Sequence, residues 1–463
     1  MLDATSSFNK IKIDGNNNQI IIGSNERFEP MIDWLKKEIE FKVKGIGRRY
    51  LPLQSGYEDI NISTNYKKHF LTLVSITYIK NKLSNNNEQH VIDKIGNINN
   101  IDNLKYIDDL KSINNQIKLF SSENFLVNLD IFKVNIKKLL QEYKQLKSIN
   151  DIDYNGNTDI LLSLKYRTQD KTTISKRSYH KKLLDNDTKF RKLYQLMLNY
   201  LYETQHNIQQ IRPNIFIKKV LLVRGEALIG KTHLFCDTAL NQLKNNQPTL
   251  LFFGHDFVND KTIISNMINN LGITNCSDEA FLDNLNKLGL EHKTKTLIMI
   301  DAINETKDMA LWRDGLIEFC EKIKSYDNLA LALSIRDVEK NKLITSDNED
   351  YILNEIVEVE HKGFEGIEIE AMQIFCKALD VEFPKVPIHT HRLFVNPGIL
   401  FLYIEIIKDS TKKINTDVIN PTIIFKTYLE NLNKKFYQKY TNEVDEDDEV
   451  IQEAIKARSY VAN

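Results

Sequence analysis

The sequence predicts an α/β core built on a parallel sheet, with helical regions before and after it in the chain. Three observations predict this. Short apolar runs alternate with amphipathic stretches between Pro213 and Arg336. One of those runs ends in a glycine-bounded turn, VLLVRGEALIGKTHLF (220–235), that restarts as a helix. The flanks instead carry apolar residues at three-to-four spacing. Alternation of strand and helix signals means βαβ units, whose strands run parallel and are covered on both faces.

The chain opens on NKIKIDGNNNQIIIG (9–23), an alternating arm and an apolar triplet joined at Asp-Gly-Asn-Asn, which predicts a β-hairpin. A lone hairpin is marginal in water, so residues 1–26 are expected to pack on this chain or another copy, as an assembly element. Residues 27–205 read as a mainly helical effector or interaction region: FEPMIDWLKKEIEFKV, YKKHFLTLVSITYIKNKL, LVNLDIFKVNIKKLLQEYKQL and TKFRKLYQLMLNYLYETQ all have helical apolar periodicity, with Asn-rich turns between them. The basic segment 165–182 is read as a solvated loop. Residues 206–345 carry the strands IFIKKVLLV, TLLFFG, TLIMID and LALALSI, with helices from Lys231, in NDKTIISNMINNLG and around ALWRDGLIEFCEKI. Residues 346–463 turn helical again, through GIEIEAMQIFCKALD, NPGILFLYIEIIK and PTIIFKTYLENLNKKFYQKY, before the acidic run 443–449.

Composition narrows the function classes. At 463 residues and 42% hydrophobic, the chain can form two or three separately cored domains. Lys+Arg at 62 against Asp+Glu at 63 leaves a formal charge of −1, so any polyanion site must be local. Cys236, Cys276, Cys320 and Cys376 are far apart with no CxxC pair, which implies reduced thiols and a cytoplasmic location. No apolar run is long enough to span a membrane, and MLDATSSFNK lacks an export signal.

GEALIGKT fits G-x-x-x-x-G-K-[ST] and sits between a strand and a helix, where backbone N–H groups converge on phosphate. Gly225, Glu226, Ala227, Leu228, Ile229 and Gly230 would form the cradle, with His233 just inside the helix. Lys231 would reach the β- and γ-phosphates of ATP or ADP, and the Thr232 hydroxyl would hold Mg2+. Asp301, ending TLIMID, supplies the metal's second side; Glu305, four residues on, could orient an attacking water. The lack of an Asp-Glu pair at that strand end points to slow or conditional hydrolysis, a regulatory ATPase. LALALSIRD places Ser334 and Arg336 at the next strand end, where Arg336 could sense a γ-phosphate; the plainer reading pairs it with Asp337.

GEALIGKT, IDAINE and LSIRD together resemble the STAND NTPases, the signal-transduction branch of the AAA-related P-loop ATPases that includes NACHT and NB-ARC proteins. EHKGFEGIEIEA (360–371), RLFVNPGILFLY (392–403) and GRRYLP (47–52) are similar to the bacterial Avs-type antiviral members. The resemblance covers roughly residues 210–430 and implies nucleotide held between the sheet and a helical domain, oligomerisation with copies of itself, and a foreign, phage protein as trigger. It implies the roles above for Lys231, Thr232, Asp301 and Arg336, and sets Pro397 near the adenine. Proline in a helix's first turn is also common without such a role. The chain stops at Asn463, where a winged helix and a repeat sensor are expected, so either the chain continues or a separate chain does the sensing. No nuclease, protease or deaminase signature stands in the first 210 residues. The alternative is an AAA-type motor or loader on nucleic acid, which the balanced charge disfavours; a small-molecule kinase would be shorter and carry a lid.

Overall fold

The computed structural model describes residues 31–46, 61–84, 103–121, 124–154, 195–209, 212, 214–259, 261–384, 388–408 and 420–443. The expected hairpin at 9–23, GRRYLP, the basic segment 165–182 and nearly all of the acidic run lie outside them. Five strands form one sheet: β1 (Val220–Gly225), β2 (Thr249–Phe253), β3 (Thr296–Asp301), β4 (Leu329–Arg336) and β5 (Val357–Glu360). Their order is β2-β3-β4-β1-β5, and every neighbouring pair is parallel. Register aligns the C-terminal ends, with Gly225 opposite Arg336 and Phe253 opposite Asp301.

The strand residues explain the order. β2 and β3 are buried throughout, and β4 is buried up to its last residue, as expected of strands covered on both faces. β5, VEVE, is only partly buried and stands at an edge, where Glu358 and Glu360 bind Arg224 of β1 at 3.4 and 3.3 Å. Four strands are legible as apolar runs; β5 is not, because its alternation is short and half of it is acidic. IFIKKVLLV, expected as one strand, divides. Asn214–Lys218 is a helical turn, Lys219 is left-handed at φ 59°, and extended structure begins at Val220. Ile215 and Phe216 serve two different cores, and the left-handed Lys219 then turns the chain into the sheet.

The step from β1 to β2 crosses over β4 and β3, whereas the step from β4 to β5 crosses β1 in the other direction. Right-handed crossovers therefore place the two connections on opposite faces and open a crevice between the C-terminal ends of β1 and β4. The helix Lys231–Lys244 covers one face, with Ile32–Gly45 and Asn61–Val74 packed beside it. Leu35, Ile39, Phe70 and Leu73 of those two helices belong to the sheet's own core. Asp278–Glu291 and Ala310–Lys324 cover the other face.

A second core joins Ile76–Leu83, Asn103–Lys118, Phe125–Tyr154 and 195–209 around Phe120, Phe132 and Leu201. The stretch 66–83 breaks between these cores at Ser75, whose extended backbone and side chain cap the next helix at Tyr78 N–H, 3.1 Å. A third core joins Glu368–Ala378, Pro397–Lys408 and Pro421–Glu443 around Phe394 and Tyr403. All four cysteines are free thiols. No helix among the described residues is long and apolar enough to cross a membrane.

Candidate phosphate-binding site

The glycine-rich turn after β1 needs unusual backbone. Leu228 is left-handed at φ 60° and Gly230 sits at φ 100°, a conformation that a side chain strains. Gly230 also caps the helix Lys231–Lys244 without any side-chain bond to its first turn, leaving that turn's N–H groups directed at the loop. Ile229 is buried and anchors the loop, whereas Glu226, Ala227 and Leu228 are exposed. His233 lies half-buried one residue past Thr232.

Lys231 is buried, and its Nζ donates to the Gly225 and Glu226 carbonyls at 2.7 and 2.8 Å. Burial pushes its ammonium down to about 8, against the pull of the Asp301 and Asp337 carboxylates. A polyphosphate would supply the negative charge that burial makes this lysine need.

Asp301 ends β3 at 1% exposure. The Ser334 hydroxyl donates to its Oδ1 at 2.5 Å, and Ser334 Oγ in turn accepts the Ala302 N–H at 2.7 Å. Burial raises the carboxyl above its ordinary range, while bonds from Ser334 and Thr232 and the charge of Lys231 oppose the rise. The fold thus brings Lys231 and Thr232, at the start of the helix after β1, together with Asp301 of β3 and Ser334 of β4. Directly after Asp301 the chain turns through left-handed Ala302, φ 53°, into the short turn Ile303–Glu305.

That turn delivers Glu305 to Arg336, whose Nη2 donates to the Glu305 carboxylate at 2.8 Å. The Arg336 N–H is held by Asn304 Oδ1 at 3.1 Å. The expected alternative partner, Asp337, pairs with Arg224 at 3.0 Å instead. Sequence spacing cannot reveal either pair, since both join different strands. Glu305 also borders a cavity of about 580 Å³ lined by Lys42, Ile46, Phe253, His255 and Asp256.

Pro397 lies against the loop. Its Cγ is 3.7 Å from where a β carbon on Gly230 would stand. Its neighbours make the bonds: Asn396 Nδ2 donates to the Ala227 carbonyl at 3.0 Å, and Gly398 N–H to the Leu228 carbonyl at 3.1 Å. Neither neighbour is singled out by the sequence, although both flank the proline that is. A β carbon on Gly398 would lie 2.6 Å from Leu228 Cβ, so only glycine admits this approach.

These groups fit a nucleotide polyphosphate with Mg2+. The loop offers backbone donors and a buried cation; Thr232 and Asp301 offer the oxygen ligands Mg2+ prefers. Among the described residues no group of three or more His, Cys, Asp or Glu could hold a metal ion.

No protein-family model and no curated protein matches the chain. Among solved structures, AMPPCP-bound DnaA from Aquifex aeolicus is similar at a TM-score of 0.27 and 14% identity, covering 47% of this chain and 59% of that one. C. elegans PCH-2 is similar at a TM-score of 0.27 and 13% identity, covering 47% and 61%. The chain thus spans under two thirds of either neighbour's length.

Proposed function

We propose that this protein is an ATP-dependent signalling switch of the STAND class, acting in antiphage defence. One observation carries the reading: the loop that would bind phosphate is bonded, through Asn396 and Gly398, to the helical unit that follows the sheet. What binds the loop therefore bears on where that unit sits. A ligand shifts such an equilibrium only by interacting differently with its two states.

Lys231 and the loop N–H groups would hold the β- and γ-phosphates, and Thr232 and Asp301 would hold Mg2+. The ion would neutralise charge on the phosphates. Ser334 fixes the Asp301 carboxylate through its 2.5 Å bond. Arg336 would meet a γ-phosphate by leaving Glu305, freeing that carboxylate to orient water. While the pair is closed, neither group is available, which supports slow or conditional hydrolysis. The resemblance supports assembly with copies of itself, triggered by a phage protein or through a separate sensor chain, in the cytoplasm.

Calorimetric titration and phosphate release test the chemistry. Wild type should bind ATP, Lys231→Ala should lose binding at least a hundredfold, and Asp301→Ala should lose Mg2+-dependent turnover. Tight ATP binding by Lys231→Ala would sink the assignment. Phage plating on bacteria expressing wild type or Lys231→Ala tests defence. Turnover stimulated by a generic oligonucleotide, with salt-sensitive binding, would favour a nucleic-acid motor instead.

A further inference from the structure

His361, just after β5, touches the phosphate loop without belonging to its motif. Its N–H donates to the Arg224 carbonyl at 2.7 Å, which extends the β1–β5 ladder by one residue. The side chain is buried, at 5% exposure. A β carbon on Gly225 would stand 2.8 Å from the His361 carbonyl oxygen, and one on Gly230 would stand 3.8 and 3.9 Å from its Cε1 and Nε2. The imidazole therefore lies along the loop between its two glycines, with the Cε1–Nε2 edge toward Gly230.

Local bonding selects the tautomer. Gly363 N–H donates to Nδ1 at 3.1 Å, so Nδ1 is an acceptor and carries no proton. Burial, followed by the charges of Lys231 and His233, pushes the ring down to about 3, which keeps it neutral at ordinary pH. A neutral imidazole with a bare Nδ1 has its proton on Nε2, on the ring edge that faces Gly230. Tyr66 sets the ring's orientation: the two rings stack with centroids 4.4 Å apart at 7°, and the Tyr66 hydroxyl accepts the Lys362 N–H at 2.8 Å.

We propose that His361 Nε2–H is a further donor to nucleotide phosphate at the Gly230 end of the loop, with Tyr66 as its positioning residue. The proposal rests on the nucleotide reading above and deepens it. A neutral donor adds a directed bond without adding charge beside Lys231, which burial already disfavours as a cation. Tyr66 belongs to Asn61–Val74 and packs against both the sheet core and the C-terminal helical core. Phosphate on His361 would thus be felt where three parts of the molecule meet.

The test is calorimetric titration of ATP, inorganic tripolyphosphate and adenosine into the full chain, with melting followed for each variant. His361→Asn keeps an acceptor for Gly363 N–H but has no donor at the ε position; His361→Phe keeps a ring for Tyr66 to stack on. Both are expected to weaken ATP and tripolyphosphate about tenfold to a hundredfold, the range for one bond to a charged oxygen. His361→Gln, with an amide N–H near the Nε2 position, should stay within about threefold of wild type, and adenosine should be unaffected throughout. Tyr66→Leu should weaken ATP in wild type but add nothing in His361→Phe, a coupling that mere loss of stability would not give. Wild-type affinity in a folded Asn or Phe variant, or a folded Gln variant as weak as Asn, would overturn the proposal while leaving the nucleotide reading intact. No ATP or tripolyphosphate binding by wild type would bring down both.

Discussion

Asp301 and Lys231 are charged groups held away from water, and each is made tolerable by the other and by fixed dipoles. Two histidines show the opposite solution, staying neutral. Burial, then the charges of Arg212 and Lys68, pushes His69 down to about 4, and among the described residues its Nδ1 has no hydrogen-bond partner. Below about pH 6.5 the unfolded chain binds a proton that folded His69 refuses until about pH 4. Its contribution is thus complete above the unfolded value and is lost as pH falls through that window; His361 acts in the same direction. The urea midpoint is expected to drop between pH 7 and pH 5, and His69→Phe should flatten that drop. An unchanged slope in the variant would show that His69 titrates normally.

At the level of elements, small polar residues decide where helices stop and how loops meet. Ser75 ends one helix and caps the next, joining the sheet core to the second helical core. Ser75→Ala should cost about 1 kcal/mol in denaturant unfolding with the m-value unchanged. Thr306 ties the loops after β2 and β3 together: its hydroxyl donates to the Gly254 carbonyl at 2.9 Å and accepts the Trp312 Nε1–H at 2.7 Å, with Trp312 fully buried. Thr306→Val leaves that indole N–H buried without its acceptor, a loss of about 1–3 kcal/mol. Because Glu305 is the preceding residue, hydrogen exchange of the 303–306 backbone should rise in the same variant, and unchanged protection would argue against the tie.

Across the molecule, the sheet core and the C-terminal helical core meet at Tyr66, beside the phosphate loop. The N-terminal helices touch it through Tyr66 and His361, and Lys67 pairs with Asp237 on the helix behind the loop at 2.5 Å. The C-terminal unit touches it through Asn396, Pro397 and Gly398. Gly398→Ala forces a carbon against Leu228 Cβ, so about 1–3 kcal/mol of overpacking falls on that one contact. Faster amide exchange in 396–408, with the sheet still protected, is the expected result; uniform protection would mean the contact yields freely.

By itself the sequence determined the strand–turn–helix path of the loop and much of the sheet. GEALIGKT specifies its own backbone through its glycines, and buried central strands advertise themselves as unbroken apolar runs ending in Asp301 or Arg336. These signals are local, set by residues within one element and the turn after it. Tertiary structure alone decided the strand order, the edge strand β5, the division of IFIKKVLLV, and which charges pair. Glu305 meets Arg336, and Arg224 meets Asp337, only because β3, β4 and β1 lie side by side. His361 and Tyr66 are 295 positions apart in the chain, and no spacing rule relates them. The physical reason is that burial and hydrogen-bond satisfaction act between elements brought together by the whole fold, whereas periodicity and turn chemistry report only on each element alone.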